Sequence, residues 1–100
     1  MEITINKVEE VTTVQFVGRL DTPASQEAMG IINPVMEDAG GTIILDCDNL
    51  SYISSSGLRI FLSIRKAAIL KGGEVIVKGI NDDIRSVFMM TGFLNLFEIQ

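Results

Sequence analysis

Ser51-Tyr52-Ile53-Ser54-Ser55-Ser56-Gly57-Leu58 joins two contrasting patterns. Before it lies Ile43-Ile44-Leu45-Asp46, an apolar run ending in an acid; after it a helical pattern starts at Leu58. The stretch reads as a strand-to-helix connection carrying three consecutive hydroxyls. Serine suits such a place, because its oxygen accepts a bond from one of the helix's unpaired first N–H groups. The positive end of the helix dipole also stabilises an anion there. A serine so placed can cap the helix, act as a nucleophile or accept a phosphate, and the rest of the chain has to separate these roles.

Downstream, Leu58, Phe61, Leu62, Arg65, Ala68 and Ile69 mark one side of a helix that Gly72-Gly73 stops, and Ile60 and Ile64 widen its apolar face. Glu74 to Lys78 follows as a buried strand built on Val75, Ile76 and Val77. Asp82 or Asp83 can cap a further helix in which Ile84, Val87, Phe88 and Thr91 share a face, and Leu96 to Ile99 predicts a short last strand. Upstream, Thr42 to Asp46 has the apolar, β-branched character of a strand covered on both faces. Thr22-Pro23 reads as the cap and first position of a helix in which Ala28, Met29, Ile32, Val35, Met36 and Ala39 recur at helical spacing. Pro34 predicts a kink, or two shorter pieces, near Asn33. Val14 and Phe16 share one face of a strand from Val11 to Gly18, and Ile3 and Ile5 alternate in another, paired to it as a hairpin. The order is ββαβαβαβ: a single α/β domain over residues 1–100, with a mixed, mainly parallel sheet of about five strands and right-handed crossovers.

The bulk numbers narrow the function. A chain that is 47% hydrophobic and 21% charged is globular. A net charge of -5 argues against nucleic acid as the main ligand and allows a basic protein partner. The single cysteine, Cys47, leaves no internal disulfide and fits a reducing compartment. No apolar run approaches the roughly 20 residues of a membrane span, and Met1-Glu2-Ile3-Thr4 does not open like a secretory signal. The expectation is a soluble, cytoplasmic protein without membrane insertion. With no histidine there is no Ser-His-Asp relay. Ile53 sits where a nucleophile elbow has its first glycine, and no lysine lies near the serines in sequence. One cysteine without histidine makes a metal site improbable, and no Gly-x-x-x-x-Gly-Lys loop is present. No catalytic residue, metal ligand or cofactor is expected.

Several local motifs give the chain a family likeness: Gly18-Arg19-Leu20-Asp21 after the second strand, Ser54-Ser55-Ser56-Gly57-Leu58 at the helix start, Gly72-Gly73, and Met90-Thr91-Gly92-Phe93-Leu94. With the element order, they resemble the STAS domain and in particular the bacterial anti-sigma factor antagonists. The resemblance implies a non-catalytic binding module. Its partner would be an anti-sigma factor with Ser/Thr kinase activity, which binds the unphosphorylated form and phosphorylates it; a phosphatase would reset the switch. Aligned on the family's Asp-Ser-Ser/Thr-Gly-Leu segment, the acceptor is Ser55. Ser54 stands where the family has Asp; it is the second candidate acceptor and can still cap the helix. STAS domains also serve as unphosphorylated subunits, for example of lipid-transport systems, which is the alternative reading.

Around Ser55, the candidate partner-binding residues are Asp21, Asp46, Ser54, Ser56 and Gly57. Asp21 and Asp46 are read as ending their strands. Parallel strands gather their C-terminal ends on one edge, so both are expected beside Ser55, either as loop caps or as an acidic rim. Gly57 reads as a place of close approach for a partner or a neighbouring backbone, and Asp48 as plain solvated charge. Met89, Met90, Phe93 and Leu94 form either an exposed patch or a closure of the core.

Overall fold

A computed structural model describes all 100 residues, Met1–Gln100. The elements are β1 (Glu2–Val8), β2 (Val11–Leu20), α1 (Thr22–Glu37), β3 (Thr42–Ile53), α2 (Ser55–Leu70), β4 (Glu74–Lys78), α3 (Asp82–Thr91), a 3-10 turn (Phe93–Asn95) and β5 (Glu98–Ile99). The strands lie in sequence order in one five-stranded sheet. β1 and β2 form the expected antiparallel hairpin, and all later pairings are parallel. No helix is long and apolar enough to cross a membrane.

Strand alternation decides where the helices sit. Val14 and Phe16 of β2, Ile43, Leu45 and Cys47 of β3, and Val75 and Val77 of β4 are buried, whereas Thr13, Gln15, Ile44, Asp46, Ile76 and Lys78 between them are only partly so. The helices therefore cover one face, and the strands of the centre are not covered on both, as their apolar composition had predicted. The most buried helix is α2, through Gly57, Ile60, Phe61, Ile64 and Ala68. That stripe is rotated from the predicted one: Leu62 and Ile69 are exposed.

Several elements differ from the sequence reading, each for a local reason. β3 runs on past Asp46 to Ile53 because Leu50 and Ile53 remain in the core after the polar residues between them. It gains one residue on β2 between the pairs Gln15–Asp46 and Val17–Asn49, and another between Gly18–Leu50 and Arg19–Tyr52. Such bulges re-aim the alternation, and Gly18 meets one with a φ of 106°, open to glycine at little cost. α1 is one helix through Pro34 rather than two pieces. The proline lies in its last turn, and the carbonyl it leaves unpaired belongs to exposed Gly30, where water can satisfy it. The caps are Asp21 for α1 and Asn81 for α3, not Thr22 and not Asp82 or Asp83, which fall in the first turn. Finally, the last strand shortens to Glu98–Ile99 because Phe93 to Asn95 curl into the 3-10 turn that buries Phe93 and Phe97.

Candidate functional site

Two adjacent parallel strands, β2 and β3, end level with each other, Leu20 opposite Ile53. Each is followed by a capping residue and a helix. Asp21 caps α1, accepting from Ala24 N–H at 3.0 Å, and its carbonyl accepts from the Ser25 hydroxyl at 2.7 Å. Ser54 caps α2: its Oγ accepts from Gly57 N–H at 3.1 Å. Backbone bonds tie the two starts together, since Ser54 N–H donates to Leu20 O at 2.9 Å. The sequence expectation that Asp21 and the serine segment share one edge is met by this geometry.

The three serines then divide. Ser54 is 8% exposed and its oxygen is occupied by the cap, so it is turned into the fold and not towards a partner. Gly57 is buried as well. A Cβ there would lie 2.8 Å from Ile53 Cγ1 and 2.9 Å from the Leu20 side chain. The close approach inferred for Gly57 is real, but it comes from core side chains rather than from a backbone or a partner. Ser55, the first residue of α2, is exposed, and Ser56 is half-buried. The Ser55 hydroxyl is engaged in no side-chain hydrogen bond of the fold, in contrast to Ser54 beside it.

Ser56 opens onto a groove of about 260 Å³ between α1 and α2, lined also by Ser25, Gln26, Met29, Arg59 and Ser63. On the strand side, Arg19 and Tyr52 are paired one position before Leu20 and Ile53, and the Arg19 guanidinium stacks 4.3 Å from the Tyr52 ring centroid. Arg59 lies on the Ser55 helix and lines this groove, while Arg19 and Tyr52 alternate with buried Leu20 and Ile53 and so face the uncovered side of the sheet; the sequence reading passed over all three as site residues. The signal for Arg59 was available as its spacing of four from Ser55 on one helix.

Asp46 is not at this edge. It lies in the middle of β3, opposite Gln15 and Lys78, and its level on β2 is five residues before Leu20, the partner of Ile53, about 17 Å at ~3.3 Å each. β4 ends at its level, whereas β2 and β3 project beyond it. Asp46 instead accepts from Asp48 N–H at 3.1 Å and sits 3.8 Å from Lys78 Nζ. Asp48 is exposed but not merely solvated: it pairs with Lys78 at 3.1 Å. The hydrogen bond from Lys78, and then that involving Asp46, hold the Asp48 carboxyl below its ordinary value, and Asp48 chiefly raises the Lys78 ammonium. Burial, then the charges of Asp46 and Asp48, push the Cys47 thiol up to about 12, so at neutral pH it is a core thiol and not a thiolate. The late motif splits: Met89 and Met90 are 66% and 80% exposed, while Phe93 closes the core.

A half-covered five-stranded sheet with two paired helix starts at its C-terminal edge, one of them bearing an exposed hydroxyl, defines a single α/β domain. The chain matches the STAS domain family over residues 2–100 and belongs to that family. The anti-sigma-B factor antagonist of Staphylococcus aureus (strain NCTC 8325 / PS 47) is 29% identical over 86 residues, 86% of this chain and 80% of that protein. Among solved structures, the anti-sigma factor antagonist SpoIIAA in its unphosphorylated form superposes with a TM-score of 0.77 at 20% identity, over 99% of this chain and 87% of that one. The phosphorylated form of the Bacillus protein gives 0.77 at 21%, over 99% and 91%. An anti-sigma factor antagonist from Mycobacterium paratuberculosis gives 0.82 at 18%, over 98% and 83%. At these identities the structural matches establish the fold.

Proposed function

We propose that this protein is an anti-sigma factor antagonist switched by phosphorylation of Ser55. In its unphosphorylated form it binds an anti-sigma factor with Ser/Thr kinase activity and so frees the sigma factor for transcription. The partner phosphorylates Ser55 and is released, and a phosphatase restores the binding form. The observation that carries this reading is the exposed, uncommitted hydroxyl of Ser55 at the first position of α2, between a buried cap and a buried glycine. Ser54, with its oxygen already bonded to Gly57, is the poorer acceptor.

The docking rim consists of Ser55, Ser56 and the half-buried Asp21. A phosphate adds about -1.5 to -2 charges and three acceptor oxygens. At the start of α2 the dipole and free N–H groups stabilise it, so the fold tolerates the change. A partner packed on the rim would have to desolvate the dianion, at a cost of several kcal/mol unless it is paired. Release then needs no rearrangement of the domain. Base, ATP and magnesium for the transfer all belong to the kinase.

The test is incubation with the cognate anti-sigma factor and ATP, followed by mass-spectrometric mapping and calorimetric binding. Phosphate is expected on Ser55, with Ser55→Ala binding and Ser55→Asp binding at least tenfold more weakly, which is ~1.4 kcal/mol. Equal binding of Ser55→Ala and Ser55→Asp, with no transfer from a competent kinase, would favour an unphosphorylated interaction subunit instead.

A further inference from the structure

Arg59 stands four residues after Ser55 on α2, so the two side chains share a face one turn apart. Helical side chains lean towards the N-terminus, which carries the Arg59 guanidinium back over the turn that Ser55 begins. Both residues are exposed. Of the seven other cations five are engaged, and only Lys66 and Arg85 make no such contact. Lys7 pairs with Asp38, and Lys78 with Asp46 and Asp48. Arg65 donates to Leu96 O, Lys71 to Glu37 O, and Arg19 stacks on Tyr52. Arg59 takes part in none of these pairs, although the chain has 13 acidic residues against 8 basic ones. The first turn of α2 holds no acid. An unneutralised guanidinium in an acidic protein thus stands one turn from the free hydroxyl.

We infer that Arg59 is the intrachain counter-ion of phosphorylated Ser55, holding the phosphate against the start of α2. This rests on the phosphoacceptor reading of Ser55 and assigns how that site is regulated. The planar guanidinium presents parallel N–H donors that match two phosphate oxygens, while the helix dipole acts on the same group from below. Two consequences follow for the switch. The pair favours the dianion, so the modified state carries its full charge at neutral pH. It also withdraws the guanidinium from the mouth of the α1–α2 groove, so one modification both adds an anion to the rim and removes a cation from it.

Phosphoserine installed at position 55 during translation tests this without any kinase. The phosphate's second ionisation is followed by phosphorus NMR in the otherwise unaltered protein, in Arg59→Gln and in Arg59→Lys. The midpoint is expected roughly 0.2–0.4 pH unit lower with Arg59 than in Arg59→Gln, as an i,i+4 charge pair implies. Arg59→Lys should keep part of the shift, having the charge but not the fork. Salt at about 1 M should shrink the difference. Equal midpoints for the parent and Arg59→Gln, both shown folded by circular dichroism, would overturn the inference. A kinase that never modifies Ser55 would instead overturn the proposed function and leave this titration unchanged.

Discussion

Ser55 is presented by its neighbours, and each neighbour is testable alone. The Ser54 oxygen caps α2 through Gly57 N–H. Ser54→Ala should therefore cost about 1 kcal/mol in urea unfolding, as N-cap removal does, while Ser54→Asp should restore a capping oxygen and most of the loss. Equal stability of Ser54→Ala and the parent would mean the cap bond contributes nothing. Gly57 answers to packing instead. An added methyl would meet Leu20 and Ile53, the residues that end β2 and β3, closer than van der Waals contact allows. Gly57→Ala should cost about 1–3 kcal/mol through overpacking, and it should shift the amide resonances of Leu20 and Ile53. A neutral effect would show that these strand ends have room to move.

At the scale of elements, alternation and helical spacing were enough to read the ββαβαβαβ order, because each is a local property of the chain. What escaped was set by partners distant in sequence. Nothing in Cys47-Asp48-Asn49-Leu50 announces that β3 bulges twice and continues to Ile53; the extension exists because β2 is there to pair with it. Asp46 was misplaced for the same reason, whereas Asp21, whose strand and helix adjoin in sequence, was placed correctly at the edge. The place of Ser55 at the start of α2 was legible from its motif, but its exposure and the enclosure of Ser54 and Gly57 needed the packing of Leu20. The true setting of Asp46 yields its own prediction, since Lys78 of β4 bridges to Asp48 beyond the last rung of the β3–β4 ladder. The folded Asp48 carboxyl lies below its ordinary value, so the folded state binds a proton less readily than the unfolded one. Its contribution is therefore full above the unfolded value, about 3.9, and is lost as pH falls through the lower folded value. Carbon-13 NMR should show Asp48 titrating below that reference, and Lys78→Gln should move the midpoint upward. An unmoved midpoint would remove Lys78 as the cause.

For the molecule as a whole, the question is whether a charge placed at one end is felt at the other. The core argues that it is not. Phe61 of α2 touches Phe16 of β2, Phe88 of α3 and Phe97, with ring centroids 5.4, 6.2 and 6.4 Å apart, and Phe93 closes the set against Phe88 at 5.3 Å. These rings join the sheet and two helices into one close-packed interior, which does not deform continuously. The radius of gyration, 12.2 Å, is near the ~13 Å of a compact chain this long. Ser55 lies outside that interior at an exposed helix start. The proposed phosphorylation of Ser55 would take the net charge from -5 to about -7, but it would place the added charge where the dipole of α2 favours it. The expected result is an unfolding midpoint in urea that moves by less than ~1 kcal/mol of stability, with an unchanged slope. Amide shifts between the two forms should be confined to the starts of α1 and α2 and to Arg59. Shifts spread across Phe88, Phe93 and β5, or a changed slope, would mean that the proposed switch works through the fold and not through its surface.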